Sequence, residues 1–164
     1  MNRIMTAAIT TFVLCPALSW AADIQPRQFA EKAAISDMFE LEAAKIELKN
    51  GKSDKIRAFA DMMAKDHAGS TQNLKDAAAK ENVALPSRLD AAHQEKLDAI
   101  KPLTGVALDA AYASTQISAH TDAVALLEAY AKDGQSGPLK GFAEQTLPTV
   151  RMHLIRIKGL NSGE

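Results

Sequence analysis

Residues 53–80 carry the pattern that most restricts the fold, an apolar stripe of helical spacing with a histidine in its middle. The members of the stripe recur at three- and four-residue steps and are Ile56, Phe59, Ala60, Met63, His67, Thr71, Leu74 and Ala78. This period is that of one face of an amphipathic α-helix, which buries its apolar side against other elements. His67 therefore occupies a position where a hydrocarbon side chain is expected.

The same period predicts three more long helices and a short one. The long helices are expected at about 26–48, 106–132 and 138–159, and a short connector is expected from Ser87 to about residue 100. The apolar stripe of the helix expected at 106–132 is Val106, Ala110, Ala113, Ile117, His120, Val124, Leu127 and Ala131. The stripe of the helix expected at 138–159 is Leu139, Phe142, Ala143, Thr146, Val150, His153, Ile157 and Leu160. No stretch has the two-residue period of a strand. The sequence predicts an all-α fold, a four-helix bundle with a short connector helix between the second and third long helices.

Capping residues mark the ends of these helices. Ser53 is a predicted N-cap, because its hydroxyl can accept from free backbone N–H groups of the first turn. Gly51 is expected in the left-handed conformation that ends the first helix. Ser87, with Asp90 three residues later, predicts the start of the connector.

The N-terminus has the three parts of a secretory signal peptide. Arg3 gives a positive start, residues 4–14 are apolar, and Ser19 and Ala21 are the small residues of a cleavage site. The apolar run is shorter than the roughly 20 residues that span a bilayer. We expect a signal peptide at 1–21, a single four-helix-bundle domain at 22–164 and a periplasmic location.

Composition excludes several classes of function. Cys15 is the only cysteine and lies inside the predicted signal peptide, so cysteine-ligated metals and cysteine nucleophiles are excluded from the mature chain. The 19 basic and 20 acidic residues are interspersed, which predicts no nucleic-acid partner. No second apolar segment approaches membrane length, so the mature chain is expected to have no transmembrane segment. A protein partner in the cell envelope stays open, and the oligomeric state is not determined.

The three stripe histidines predict a candidate site in the bundle centre. His67, His120 and His153 lie near the middles of three different helices, and the middles of bundle helices meet at one height. Imidazole is the commonest metal ligand in proteins, and a three-histidine set suits a divalent transition metal such as zinc or copper. The first helix offers Glu40, or on another rotation Asp37, as a carboxylate ligand.

A structural role for the same histidines is the competing interpretation, because buried histidines are often hydrogen-bonded core residues. One metal class is excluded: di-iron bundles use Glu-x-x-His on two helices. The residues three positions before the three histidines are Ala64, Ile117 and Val150, so ferroxidase chemistry is not expected.

Four segments together resemble a known family. FAEKAAISDMFELEAAKIEL, KIRAFADMMAKDH, LDAAYASTQISAH and LKGFAEQTLPTVRMHL are similar, in this order, to motifs of the exported bacterial DUF4142 family. The resemblance covers about residues 29–160. It implies a ferritin-like helical bundle in the cell envelope and no established activity.

The resemblance also implies which positions correspond to the family's polar residues. Its aspartate–histidine pair corresponds to Asp66 and His67, its later histidines to His120 and His153, and its acidic residue in the first helix to Glu40. The chain departs from the family at Leu108, where phenylalanine is usual, which concerns core packing more than chemistry.

Two hypotheses of function follow from the sequence. The first is a periplasmic binding or envelope-stress protein without catalysis. The second is a zinc- or copper-binding bundle that uses His67, His120, His153 and Glu40. A metal-dependent enzyme is an extension of the second hypothesis, and we do not expect it, because no further acid or base is placed beside the histidines except Glu40 or Asp66.

Overall fold

The computed structural model describes residues 25–162, which form five helices. These are α1 Pro26–Asn50, α2 Asp54–Lys80, α3 Ala91–Ile100, α4 Gly105–Asp133 and α5 Pro138–Ser162. Within this range there is no strand, and the predicted all-α bundle with a short connector helix is confirmed. The predicted signal peptide, 1–21, lies outside the described residues.

The four long helices form a closed ring. Helix α1 packs beside α2 and α4, and α5 packs beside the same two helices, while α3 covers part of α1 and α4. The link of residues 51–53 makes α1 and α2 an antiparallel hairpin, as bundles with short loops require. The groove between α2 and α5 therefore lies on the opposite side of the ring from the α1–α4 contact.

Two of the predicted helix ends differ from the structure. Gly51 is extended at φ −72°, so the left-handed conformation expected there is wrong. Glycine is needed for space instead, since a Cβ at this position would overlap the carboxylate of Glu47. The N-cap of α3 is Asp90 and not Ser87, because the Asp90 carboxylate accepts from His93 N at 2.8 Å. The predicted Ser53 cap is confirmed, with its hydroxyl accepting from Ile56 N.

The start of α4 is rotated relative to its predicted stripe. Val106 is 65% exposed and Ala110 is also exposed, whereas Leu108 and Tyr112 are fully buried. Both stripes have helical spacing, so periodicity alone could not choose between them. Packing against the α1–α2 hairpin buries the larger leucine and tyrosine side chains, which removes more apolar surface from water.

A polar layer divides the hydrophobic core into two clusters. One cluster contains Phe59 and Leu108, and the other contains Leu74 and Leu127. Between them each long helix contributes a buried polar side chain at the same height: Asp37 from α1, His67 from α2, His120 from α4 and His153 from α5. Four ionisable side chains in one buried layer are unfavourable unless they satisfy one another or bind a ligand.

Among the described residues, no helix is both long and apolar enough to cross a membrane. The large apolar side chains exposed in this part of the chain are few and consist of Val106, Met152 and Ile155.

Candidate metal centre

The three histidine rings meet in the centre of the bundle. Ring centroids lie 5.8 Å apart for His67–His120, 5.8 Å for His67–His153 and 5.5 Å for His120–His153. Each ring offers one nitrogen, and these three atoms lie within 4.8 Å of one another. The predicted convergence of His67, His120 and His153 is therefore confirmed.

The outer nitrogen of each ring is hydrogen-bonded to an acceptor. Nδ1 of His67 lies 2.7 Å from Oδ1 of Asp37, and Nε2 of His153 lies 2.9 Å from Oδ2 of Asp66. Nδ1 of His120 lies 3.0 Å from the backbone carbonyl oxygen of Gln116, one turn earlier on α4. Because carboxylates and carbonyls only accept, each outer nitrogen carries the hydrogen and donates it.

This assignment leaves three lone pairs inside the bundle. A neutral imidazole that donates through one nitrogen must accept through the other. The inner atoms are Nε2 of His67, Nε2 of His120 and Nδ1 of His153, and all three are buried without a hydrogen-bond partner. They cannot satisfy one another, since none of them carries a hydrogen in this state.

Three carboxylates surround the histidines without entering the centre. Asp37 and Asp66 bind the outer nitrogens of His67 and His153, and Oε1 of Glu40 lies 3.6 Å from Nδ1 of His120. The other Glu40 oxygen accepts from Nε2 of Gln116 at 2.5 Å. Each histidine thus has an acidic neighbour behind it, the arrangement that orients metal-binding histidines and raises their basicity.

Burial and charge separate the pKa values of these groups. Burial raises the pKa of Glu40 to about 7. It lowers the pKa of His120 to about 3, with a further contribution from the other two rings, and it lowers the pKa of His153 against the opposing effect of Asp66. Burial also opposes protonation of His67, but the bond to Asp37 and the charges of Glu40 and Asp66 outweigh it and raise its pKa.

The positions of the acidic residues could be only partly predicted. Both candidates on α1, Glu40 and Asp37, are buried beside the histidines. The role of Asp66 was missed, because adjacent helix residues such as Asp66 and His67 do not face each other. Asp66 instead reaches across to α5 and binds His153, a contact between distant segments that has no local sequence signal.

His93 lies apart from this centre. Its side chain is 26% exposed, more than those of the three central histidines. Its Nδ1 lies 2.7 Å from Oδ1 of Asp90, and its ring edge packs on Phe39 with centroids 5.5 Å apart. His93 and Asp90 therefore form a histidine–aspartate pair outside the centre. This pair serves as a reference for the buried pairs of the centre.

One side of the centre is closed and another is open to a groove. The ring of Phe59 packs against His120 and His153, with centroid distances of 6.5 and 6.4 Å. Between α2 and α5 a groove of about 750 Å³ reaches His67 and His153 and also contains Asp66.

A second buried polar cluster lies nearer the loop between α1 and α2. Glu47 is fully buried, and neither of its oxygens meets an N–H or O–H donor. Its neighbour Asp109 accepts from Lys52 N at 2.8 Å and from Ser53 N at 3.0 Å, which ties the loop to α4. Burial and the adjacent Asp109 raise the pKa of Glu47 to about 7, so the two carboxyl groups share a proton below that pH. Neither residue was singled out from the sequence.

Comparison with known proteins gives a family and a fold. The profile of a domain of unknown function, DUF4142, matches residues 16–160. No curated protein matches the sequence.

Two solved structures of DUF305 proteins are similar. One, from Streptomyces coelicolor, has a TM-score of 0.69 at 12% identity and covers 83% of this chain and 91% of its own. The other, a fragment from Deinococcus radiodurans, has a TM-score of 0.75 at 14% identity and covers 85% of this chain and 97% of its own. At such identities the likeness shows the helical fold alone.

Proposed function

This chain belongs to the DUF4142 family, and we propose that it is a metal-binding protein that holds one zinc or copper ion between His67, His120 and His153. The proposal assigns Glu40 a supporting role behind His120, together with Gln116, and not a place among the ligands. The observation that carries the proposal is the set of three inward nitrogen acceptors without a donor.

Neither water nor protons satisfy this set well. A single water molecule donates two hydrogen bonds, so at least one of three converging acceptors would stay unpaired. The pKa of His67 is raised, and a proton there turns one acceptor into a donor that pairs with only one of the other two nitrogens. Further protonation is disfavoured, because the pKa of His120 is lowered to about 3 and the pKa of His153 is also lowered. One metal ion interacts with all three lone pairs at once, and it is stabilised by the acidic residues behind the rings.

The donor set favours zinc or copper over harder cations. Three imidazole nitrogens with no thiolate suit zinc and copper, whereas magnesium and calcium prefer oxygen ligands. Zinc–imidazole bonds of about 2.0–2.1 Å place the three nitrogens roughly 3–4 Å apart. The observed limit of 4.8 Å is therefore within a small side-chain adjustment of a binding geometry.

We place this activity in the periplasm, where the signal-peptide pattern of residues 1–21 would deliver the chain. A role in docking a protein partner has less support. Met152 and Ile155 lie one turn apart on α5, and within residues 25–162 the remaining large exposed apolar residue, Val106, is on α4. Such scattered residues do not make the extended apolar patch that marks a docking face.

The test combines metal content with titration. Protein purified from the periplasm without an affinity tag should contain about one zinc or copper ion per chain by elemental analysis. In calorimetric titration, His120→Ala should weaken binding by more than about 100-fold, since losing even an outer-sphere partner costs 10–100-fold. His93→Ala is the matched control and should bind like the wild type. Equal heats for the wild type and His120→Ala would leave only the structural interpretation of the histidines.

A further inference from the structure

The groove between α2 and α5 is polar and is lined in part by His67 and His153 of the histidine centre. Its walls carry hydroxyl and amide side chains, namely Ser70, Asn73, Gln145, Thr146 and Thr149. A water molecule takes about 30 Å³ of liquid volume. A groove of about 750 Å³ can therefore hold a metal ion together with its hydration shell.

Access to the centre through this groove is one-sided. The groove is lined by His67 and His153 but not by His120. Behind the rings, Phe59 covers His120 and His153, and the side chains of Asp37 and Glu40 are 7% and 1% exposed. The described residues therefore leave the α2–α5 side as the approach that avoids displacing core side chains.

Asp66 stands where the groove meets the centre. Its side chain is 39% exposed, and it is the one carboxylate partner of the three histidines that reaches solvent. A cation that enters the groove meets this carboxylate before it meets the rings. Carboxylates that line a concave surface raise the local concentration of cations and the rate at which they bind. Asp76 is a second carboxylate in the groove, whereas Lys65 and Lys80 oppose the effect, so the contribution of Asp66 depends on its position next to the rings.

Two of the residues that line the groove are glycines inside helices. Gly69 of α2 and Gly141 of α5 line it, and a Cβ added at either position would meet no atom within 4 Å. Glycine inside a helix is less stable than alanine by roughly 0.5–1 kcal/mol. Both positions therefore have open space beside the groove, and a larger side chain can extend there without moving the backbone.

We propose that the α2–α5 groove is the route by which a hydrated divalent transition-metal ion enters and leaves the histidine centre, with Asp66 as its first contact. This inference rests on the proposed metal site. It makes the centre exchangeable, so that the protein takes up and gives back its ion without unfolding.

The experiment separates the rate of exchange from affinity. Zinc-loaded wild type, Gly69→Leu and Gly141→Leu are mixed with excess chelator, and zinc release is followed by stopped-flow absorbance; loading is measured in the reverse direction. Both leucine variants should load and release zinc about tenfold more slowly, equivalent to about 1.4 kcal/mol of added barrier, with an unchanged Kd. Ala68→Leu, an exposed α2 position outside the groove, is the control and should keep wild-type rates.

A second variant tests the entrance without filling it. Asp66→Asn keeps an oxygen acceptor for His153 but removes the charge, so loading should slow and become less sensitive to salt. Asp54→Asn removes a charge at an exposed α2 position outside the groove and should leave loading unchanged.

The outcomes are distinguishable. Unchanged exchange rates in both leucine variants, or in Asp66→Asn if the leucine variants do not fold, would overturn the route and leave the metal site standing. A wild type that binds neither zinc nor copper would overturn the site and the route together.

Discussion

The histidine centre and the Glu47–Asp109 pair are both buried polar clusters between helices, yet they differ in what can satisfy them. In the carboxyl pair a single proton suffices. The pKa of Glu47 is raised to about 7, and Asp109 is already held by the N–H groups of Lys52 and Ser53. Protonated Glu47 then donates to its neighbour, and the cluster is complete without a ligand.

In the histidine centre a single proton does not satisfy all of the inward nitrogen acceptors. Three rings within 6 Å of one another repel a second positive charge, and the pKa values of His120 and His153 are lowered. A proton on His67, whose pKa is raised, can pair with only one of the other two inward nitrogens, so at least one buried acceptor stays without a donor. Burial of polar groups is costly in both clusters. In the first, the bonds of Asp109 tie a loop to a helix, whereas in the second the larger number of converging acceptors is what supports the proposed metal site.

The largest effect should follow from replacing His67 with leucine. The variant leaves the Asp37 carboxylate buried beside an apolar side chain, and breaking a buried charged pair costs about 3–5 kcal/mol. The free energy of unfolding from denaturant titration should fall by about this amount. His93→Leu, which breaks a partly exposed histidine–aspartate pair, should change stability by less than about 1 kcal/mol. A stable His67→Leu would mean that the ring merely fills space.

Removing the negative charge of Asp37 behind His67 should lower the affinity of the centre for metal but leave the three histidines in place. Asp37→Asn keeps an oxygen that accepts from Nδ1 but makes the ring less basic. Metal affinity should drop about 10–100-fold in competition titrations. The control is Asp90→Asn, the same change on His93, for which affinity should stay at the wild-type value.

The Glu47–Asp109 pair should make the free energy of unfolding depend on pH. Because the folded-state pKa of Glu47 is about 7 and thus above the usual glutamate value, the folded form binds this proton more tightly than the unfolded form. The contribution of this proton to the stability of the folded state is complete below about pH 4.5 and is lost as pH rises through about 7. Arg57, which lowers the pKa, and Asp109, which raises it, are the charged groups that act on it.

Glu47→Gln tests this sign, because an amide can donate to Asp109 at every pH. Above pH 7 the variant should be more stable than the wild type by about 1–2 kcal/mol, measured by chemical denaturation across pH. Glu42→Gln changes an exposed glutamate of α1 and should leave the pH profile as it is. A profile for Glu47→Gln that still falls with pH would place the titrating group elsewhere.

The smallest effect is expected at Tyr112, which lies between the two clusters. Burial raises its pKa, and Glu40 of one cluster and Glu47 of the other raise it further. Its hydroxyl is buried without a hydrogen-bond partner, so Tyr112→Phe removes no bond and should change stability by less than about 1 kcal/mol. Metal affinity and the pH profile should also stay constant. A shift in both would show that the clusters are coupled through this side chain.

Much of the fold was predictable from local pattern. Helical periodicity, the Ser53 cap and the absence of strand patterns predicted the four long helices and the connector to within a few residues. The same periodicity placed three histidines at one height, because the helices of a bundle run side by side. These features depend on neighbours within a few positions along the chain, which is the information that a sequence carries directly.

Contacts between helices were decided only by the tertiary structure. The rotation of α4 that exposes Val106 and buries Tyr112, and the reach of Asp66 to His153, depend on how two helices pack. Periodicity states that a helix has a buried face, but the crossing angle and stagger set which residues meet. The Glu47–Asp109 pair is of this kind, and so is Gly51, which is needed for space beside Glu47. The sequence alone determined the helices and the level along the bundle at which the histidines lie. The hydrogen-bond partners of the histidines, their tautomers and the side on which the groove lies depend on how the helices pack.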